Sequence, residues 1–126
     1  MRDSISVVND QFGSPTYARN LAKLILAMLN QKQANKVLHS KLNIYHFSDE
    51  GKCSWYDFAK AIFDICDINC KVTSVETKNY PTKAKRPYYS VMDKSKIKQQ
   101  LPDFVIPHWH DSLKICLSEI KNINTN

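Results

Sequence analysis

The sequence predicts an α/β chain with a few short strands and three to four helices, forming part of a larger α/β protein. Two patterns predict it. Short β-branched runs alternate with stretches of 3.6-residue apolar periodicity. The runs number three, each of about five residues, too few and too short for a parallel sheet that stands alone. A third observation bounds the chemistry: the 126 residues contain two glycines, Gly13 and Gly51, where average usage would give about nine. A dinucleotide fingerprint needs three closely spaced glycines and a Walker A loop needs two. The chain therefore holds no glycine-rich phosphate cradle.

Ile5–Val8 reads as the first strand, ending in the loop Asn9–Gly13. Ser14 and Pro15 read as a helix start: serine as N-cap, proline where its missing N–H costs nothing. Leu21, Leu24, Ile25 and Met28 predict a helix to about Asn30 that buries this stripe. Residues 31–41 are polar and Lys-rich, a surface connection. Asn43–Phe47 reads as a second strand, followed by a turn over Ser48–Gly51. Ser54 begins the next helix, with Asp57 three residues on completing a capping box. Trp55, Phe58, Ala59, Ile62, Phe63 and Cys66 predict its core face. Lys71–Val75 reads as a third strand. Residues 76–90 carry two prolines and no periodicity, predicting a long irregular loop of the kind that often carries function. Asp93 is expected to cap a short helix over Lys94–Gln100. A linker between Pro102 and Pro107 precedes a last helix from about Asp111 to Ile120, using Leu113, Leu117 and Ile120.

The composition is 43% hydrophobic and 24% charged, enough for one domain over 1–126. There is no apolar run long enough for a membrane span and no secretory h-region. The four cysteines (Cys53, Cys66, Cys70, Cys116) lack C-x-x-C spacing and predict reduced thiols in a cytoplasmic protein rather than a zinc site. The net charge of +6 comes from scattered lysines, with one dense stretch at Lys83, Lys85 and Arg86. Without a binding motif this argues against nucleic acid, and suits a small anion such as a nucleotide sugar.

Ser6–Ala18 (SVVNDQFGSPTYA), Ile44–Ser48 (IYHFS), Cys53–Ala59 (CSWYDFA) and Lys85–Pro87 resemble, in order and spacing, the C-terminal part of the dTDP-4-dehydrorhamnose reductases. The resemblance runs from Ile5 to Leu117 and covers less than half of a full-length member. It implies the substrate-binding lobe of an extended short-chain dehydrogenase/reductase, with the Rossmann core absent. In that family NADPH delivers hydride to C4 of a dTDP-4-keto sugar, and a Tyr-x-x-x-Lys pair protonates the alkoxide, giving dTDP-L-rhamnose for cell-surface polysaccharide. Those parts belong to the N-terminal Rossmann portion, the expected partner. The start at Met1 suggests a truncated frame, a split gene or a cloned piece. Alone, the chain is expected to bind no NADPH, to transfer no hydride, and to self-associate through exposed apolar surface. The same architecture also resembles the regulatory subunit of methionine adenosyltransferase, leaving a non-catalytic binding module as the alternative.

Gln11, Thr16 and Arg86 are the candidate substrate contacts. Gln11 and Thr16 lie on the strand-to-helix loop, whose plainer explanation is a capped helix start. Arg86 offers a permanently charged fork for a diphosphate; the bland alternative is a solvated basic loop. Tyr80, Tyr88 and Tyr89 either stack on a base or pack over the loop. Tyr56 and Lys60 form a literal Tyr-x-x-x-Lys, a spacing that six tyrosines and fifteen lysines produce by chance. They read as the polar side of an amphipathic helix. His108–Trp109–His110 lacks ligand spacing, so Trp109 reads as an anchor for the last helix. His39 and His46 carry no functional expectation. No catalytic, cofactor-binding or metal-binding residue is assigned.

Overall fold

The computed structural model describes residues 3–35 and 42–123. Strand β1 (Ser4–Val8) pairs in parallel with β4 (Lys71–Val75), Ser4 opposite Lys71 and Val8 opposite Val75. Hydrogen bonds from Lys71 N to Asp3 O and from Asn9 N to Val75 O, both 3.0 Å, extend the ladder. Helix α2 (Trp55–Cys66) packs on this pair. A second, smaller pairing joins β2 (Phe12–Gly13) antiparallel to β3 (Cys53–Ser54). The predicted first and third strands are therefore present, and the two-residue pair is additional.

Helix α1 (Ala18–Asn35) starts three residues beyond Pro15, and Ser14 is not its N-cap. The Ser14 hydroxyl donates to Gly51 O at 2.7 Å. The helix start is held instead by a distant carboxylate: Tyr17 N donates to Asp49 Oδ2 at 3.1 Å. A buried anion satisfies the orphan amides and complements the helix dipole better than a local hydroxyl. Asp49 is 0% exposed. Its carboxylate also accepts from Asn20 Nδ2, which reaches Ser112 Oγ at 2.9 Å. Lys94 Nζ donates to Asp49 O at 2.9 Å and pairs with Glu50 at 3.1 Å. This buried polar knot ties α1, the segment before β3, α3 (Ser95–Gln100) and α4 (Trp109–Ile123) together.

Two apolar clusters flank the knot. One centres on Leu24, Ile97 and Leu101, with Ala27, Met28, Tyr45, Phe47 and Phe104 against it. The other centres on Cys53, Trp109 and Leu113, with Phe58, Ala61, Ile62, Ile65 and Leu117. The predicted α1 stripe is thus only half right. Leu24 and Met28 pack, whereas Leu21 and Ile25 are exposed, because nothing among the described residues covers that flank of the helix.

Asn43–Phe47 is not a strand in this structure. The segment carries no ladder, since neither sheet offers it an edge; Tyr45 and Phe47 hold it by packing on the first cluster. The turn after it contains Gly51 at φ +82°. Glycine is required there twice over: the φ is left-handed, and a Cβ would lie 2.2 Å from His108 Nε2.

The α2 capping box is present as predicted. Asp57 N donates to Ser54 Oγ at 3.1 Å, and Ser54 N donates back to Asp57 Oδ2 at 2.9 Å. The helix closes at Asp67, whose left-handed φ of 53° an aspartate tolerates. Trp55 does not join the core face. It sits in the first turn, past the edge of the packed surface, and is 59% exposed. Residues 76–90 are irregular apart from a 3₁₀ turn over Thr77–Asn79. Helix α3 starts one residue later than predicted, and its N-cap is Lys94 with no side-chain cap bond rather than Asp93; Asp93 Oδ1 accepts from Ser95 N at 2.8 Å and braces the turn just before the cap. Helix α4 starts two residues earlier than expected. Ile120 is exposed, as it lies beyond the reach of α2. The connection predicted over 31–41 continues α1 to Asn35; residues 36–41, with His39, lie outside the described residues.

Candidate functional site

Two short backbone pairings build the site. Phe12 is held on one side by β3 and on the other by the 88–90 segment, with Phe12 N donating to Tyr88 O and Ser90 N to Phe12 O, both 2.9 Å. This draws the end of the long loop against the Gln11–Pro15 turn and the amino end of α2. Between them lies a cavity of about 320 Å³, the size of a small-ligand site. Gln11, Ser14, Ser54, Ser90 and Arg86 supply polar lining; Phe12, Trp55 and Phe58 supply aromatic surface.

The structure thus brings Gln11 and Arg86 together. Gln11 Nε2 donates to Thr77 Oγ1 at 3.0 Å, and that hydroxyl donates to Asp10 Oδ1 at 2.6 Å. The Thr77 hydroxyl, with backbone Thr77 N, holds the Asp10 carboxyl below its ordinary value. Gln11 is therefore positioned by a relay from the loop, with its Oε1 left as the acceptor. Of the basic stretch, Arg86 lines the cavity while Lys83 and Lys85 do not.

Thr16 is not with them. Its hydroxyl donates to Ser14 O at 3.2 Å, and it lines a separate cavity of about 280 Å³ beside Tyr17, Asp49, Trp109 and Cys116. Tyr88 packs edge-on against Phe12, ring centroids 5.7 Å apart. Lys52 Nζ sits 5.6 Å over the Tyr89 ring, and Tyr80 is exposed away from the cavity lining.

Cys53 lines the cavity as a thiol. Burial, then the nearby Asp57, pushes its pKa up to about 11, so it is no nucleophile at neutral pH. Lys60 spends its ammonium on Asp64 at 2.9 Å, four residues along the outer face of α2. His108 and His110 pack around the buried Trp109, at 5.7 and 5.3 Å between centroids. Among the described residues no three His, Cys, Asp or Glu side chains gather as metal ligands, and no helix is long and apolar enough to cross a membrane.

Gly13 abuts Ser90 Oγ, 3.0 Å from where a Cβ would stand, and Gly51 abuts His108. Trp55 and Thr77 were missed as site residues. Trp55 lies on the apolar stripe, and only its place in the first turn, fixed by the capping box, betrays that it overhangs the cavity. Thr77 has no local signal; its role depends on a contact 66 residues away in sequence.

A mixed α/β lobe whose helix amino end and long loop enclose a polar-aromatic cavity has the geometry of a ligand-binding domain. Residues 1–122 match the RmlD substrate binding domain family, and the chain belongs to it. Spore coat polysaccharide biosynthesis protein SpsK of Bacillus subtilis (strain 168) is 34% identical over 119 residues, covering 94% of this chain and 38% of that protein. A dTDP-4-dehydrorhamnose reductase structure from Clostridium acetobutylicum ATCC 824 superposes with a TM-score of 0.81 at 33% identity, covering 95% of this chain and 40% of the other. The reductase of Bacillus anthracis str. Ames, in complex with NADP, gives 0.78 at 34% identity, covering 94% and 39%. The chain thus spans about 40% of the relatives it matches, aligning with their C-terminal part.

Proposed function

We propose that the chain is the sugar-nucleotide-binding part of an NADPH-dependent dTDP-4-dehydrorhamnose reductase, an oxidoreductase of dTDP-rhamnose and cell-surface polysaccharide biosynthesis. The observation that carries this reading is the convergence of Gln11 and Arg86 on one cavity with Trp55, in a chain of the substrate-binding family. Arg86 would meet the diphosphate as a bidentate cation. Gln11 Oε1 would accept from a donor of the base or sugar, and Trp55 would stack. Hydride transfer and the cofactor belong to the part of the relatives that this chain does not span. The four unpaired thiols support a reducing, cytoplasmic setting. Uncovered leucines such as Leu26 and Leu29 would make the isolated chain associate weakly. Thr16 joins the ligand only if the nucleotide reaches the second cavity.

Titration calorimetry with dTDP tests the reading. The chain should bind dTDP, and Arg86→Ala should weaken binding about tenfold or more, the loss of one charge-assisted pair. Equal affinity in wild type and Arg86→Ala would remove Arg86 from the site. With NADPH and the keto sugar, the chain alone should oxidise no cofactor.

A further inference from the structure

The hydrogen bonds among Asp10, Thr77 and Gln11 have a fixed polarity. Asp10 and Gln11 follow β1 and Thr77 follows β4, so the three meet at the carboxyl ends of the parallel pair, where α/β sheets place their ligands. Thr77 N donates to both Asp10 carboxylate oxygens, at 3.0 and 3.1 Å, and the Thr77 hydroxyl donates to Asp10 Oδ1 at 2.6 Å. These bonds hold the Asp10 carboxyl below its ordinary value, so at neutral pH it is ionised and only accepts. The single proton of the Thr77 hydroxyl is therefore committed to Asp10. Toward Gln11 the hydroxyl oxygen offers a lone pair, and the amide must turn Nε2 to it, at 3.0 Å. Gln11 Oε1 is thereby fixed as an acceptor, and no described residue donates to it. A glutamine amide without such a partner turns over and meets donors and acceptors alike. Gln11 lines the cavity with Arg86, whereas Asp10 and Thr77 do not line it.

We propose that Asp10 and Thr77 are positioning residues that act through Gln11: by fixing its Oε1 as an acceptor, they make the cavity select a pyrimidine base with an N–H at ring position 3, as in thymine or uracil, over cytosine. The proposal deepens the sugar-nucleotide reading and rests on it for the class of ligand. A base tethered through its diphosphate to Arg86 presents the same ring edge whatever its identity. Thymine and uracil place a donor there, and cytosine places a lone pair. Two acceptors set face to face leave both without a bond. A site built to bond one N–H rejects the analogue that lacks it far more strongly than an apolar pocket rejects a methylene.

The test is calorimetry of the chain with dUDP and dCDP, which share sugar and diphosphate and differ in the base alone. The wild type should bind dUDP more tightly than dCDP by about tenfold or more. Thr77→Val removes the hydroxyl at nearly constant shape, and Asp10→Ala removes the carboxylate that sets the hydroxyl's direction. Each should bring the two affinities to within about twofold, because the Gln11 amide then turns to suit either base. Thr77→Ser should keep the wild-type ratio. A merely structural role for the pair would weaken both nucleotides alike and leave their ratio unchanged, and that result would overturn the proposal. Equal binding of dUDP and dCDP by the wild type would overturn it too. Should one variant fail to fold, the other and the wild-type ratio still decide. Binding that depends on Arg86 but ignores the base would sink the positioning role and leave the sugar-nucleotide reading standing. Binding of neither nucleotide would overturn both.

Discussion

The two apolar clusters were built by the same chain to different degrees of completion. Around Trp109, helices α2 and α4 and strand β3 close on one another, and the indole is 9% exposed. Around Leu24, helix α1 closes on α3 and on an unpaired extended segment, while its flank stays bare. The Trp109 side is sufficient to itself and carries the cavity. The Leu24 side leaves part of its apolar surface uncovered by the described residues. Apolar periodicity on a helix therefore does not by itself say which of its residues are covered: Leu24 is buried while Leu21 and Ile25, on the same stripe, stay exposed.

Substitutions sharpen the contrast. Trp109→Ala should have the largest effect, lowering unfolding free energy by about 3–5 kcal/mol in urea denaturation, as for other large core aromatics. A loss below about 1 kcal/mol would mean that this side is not the closed core. Asp49→Ala should follow at about 3 kcal/mol, because it strips the α1 start and leaves Asn20 buried without its carboxylate partner. Ser54→Ala should cost about 1 kcal/mol through the lost cap. Leu21→Ala and Ile25→Ala should change the isolated chain by less than about 0.5 kcal/mol; a larger loss would show that the flank is covered within the chain itself.

Acid should act on both sides through their carboxylates. Burial raises the Glu50 carboxyl, but hydrogen bonds from Lys98 and Lys94 outweigh it and hold the pKa below 4.5. Asp93, bonded by Ser95 N, and Asp10, bonded by Thr77, lie below 3.8. Groups with lowered folded values stabilise above their unfolded pKa and lose that contribution as pH falls through the folded one. Stability should therefore be flat from neutral pH to about 5 and decline below 4.5, as followed by thermal melts. A decline that begins near pH 6 would implicate the histidines instead.

Much of the closed side was legible in the sequence because its signals are local. Ser54 and Asp57 announce a helix start three residues apart, and Phe58 and Ile62 share a face. Lys71–Val75 is a β-branched run that finds its parallel partner at Ile5–Val8. The open side was misread wherever a long-range partner decided the outcome. Ser14 looks like an N-cap, but Asp49, 35 residues on, takes the role. Asn43–Phe47 has a strand's pattern and no edge to join. The site divides the same way. Loop position and charge single out Gln11 and Arg86, which line one cavity, and Thr16, which lines another, while Trp55 and Thr77 depend on an overhang and a distant hydrogen bond.

The two tryptophans report on the two cavities, Trp55 on the one with Gln11 and Arg86, Trp109 on the one with Thr16. Their indole N–H signals in a ¹H–¹⁵N spectrum therefore test the central claim directly. On titration with dTDP, the Trp55 signal should shift progressively and saturate while that of Trp109 stays in place. Movement of Trp109 alone, or of neither, would contradict the assignment of the sugar nucleotide to this cavity.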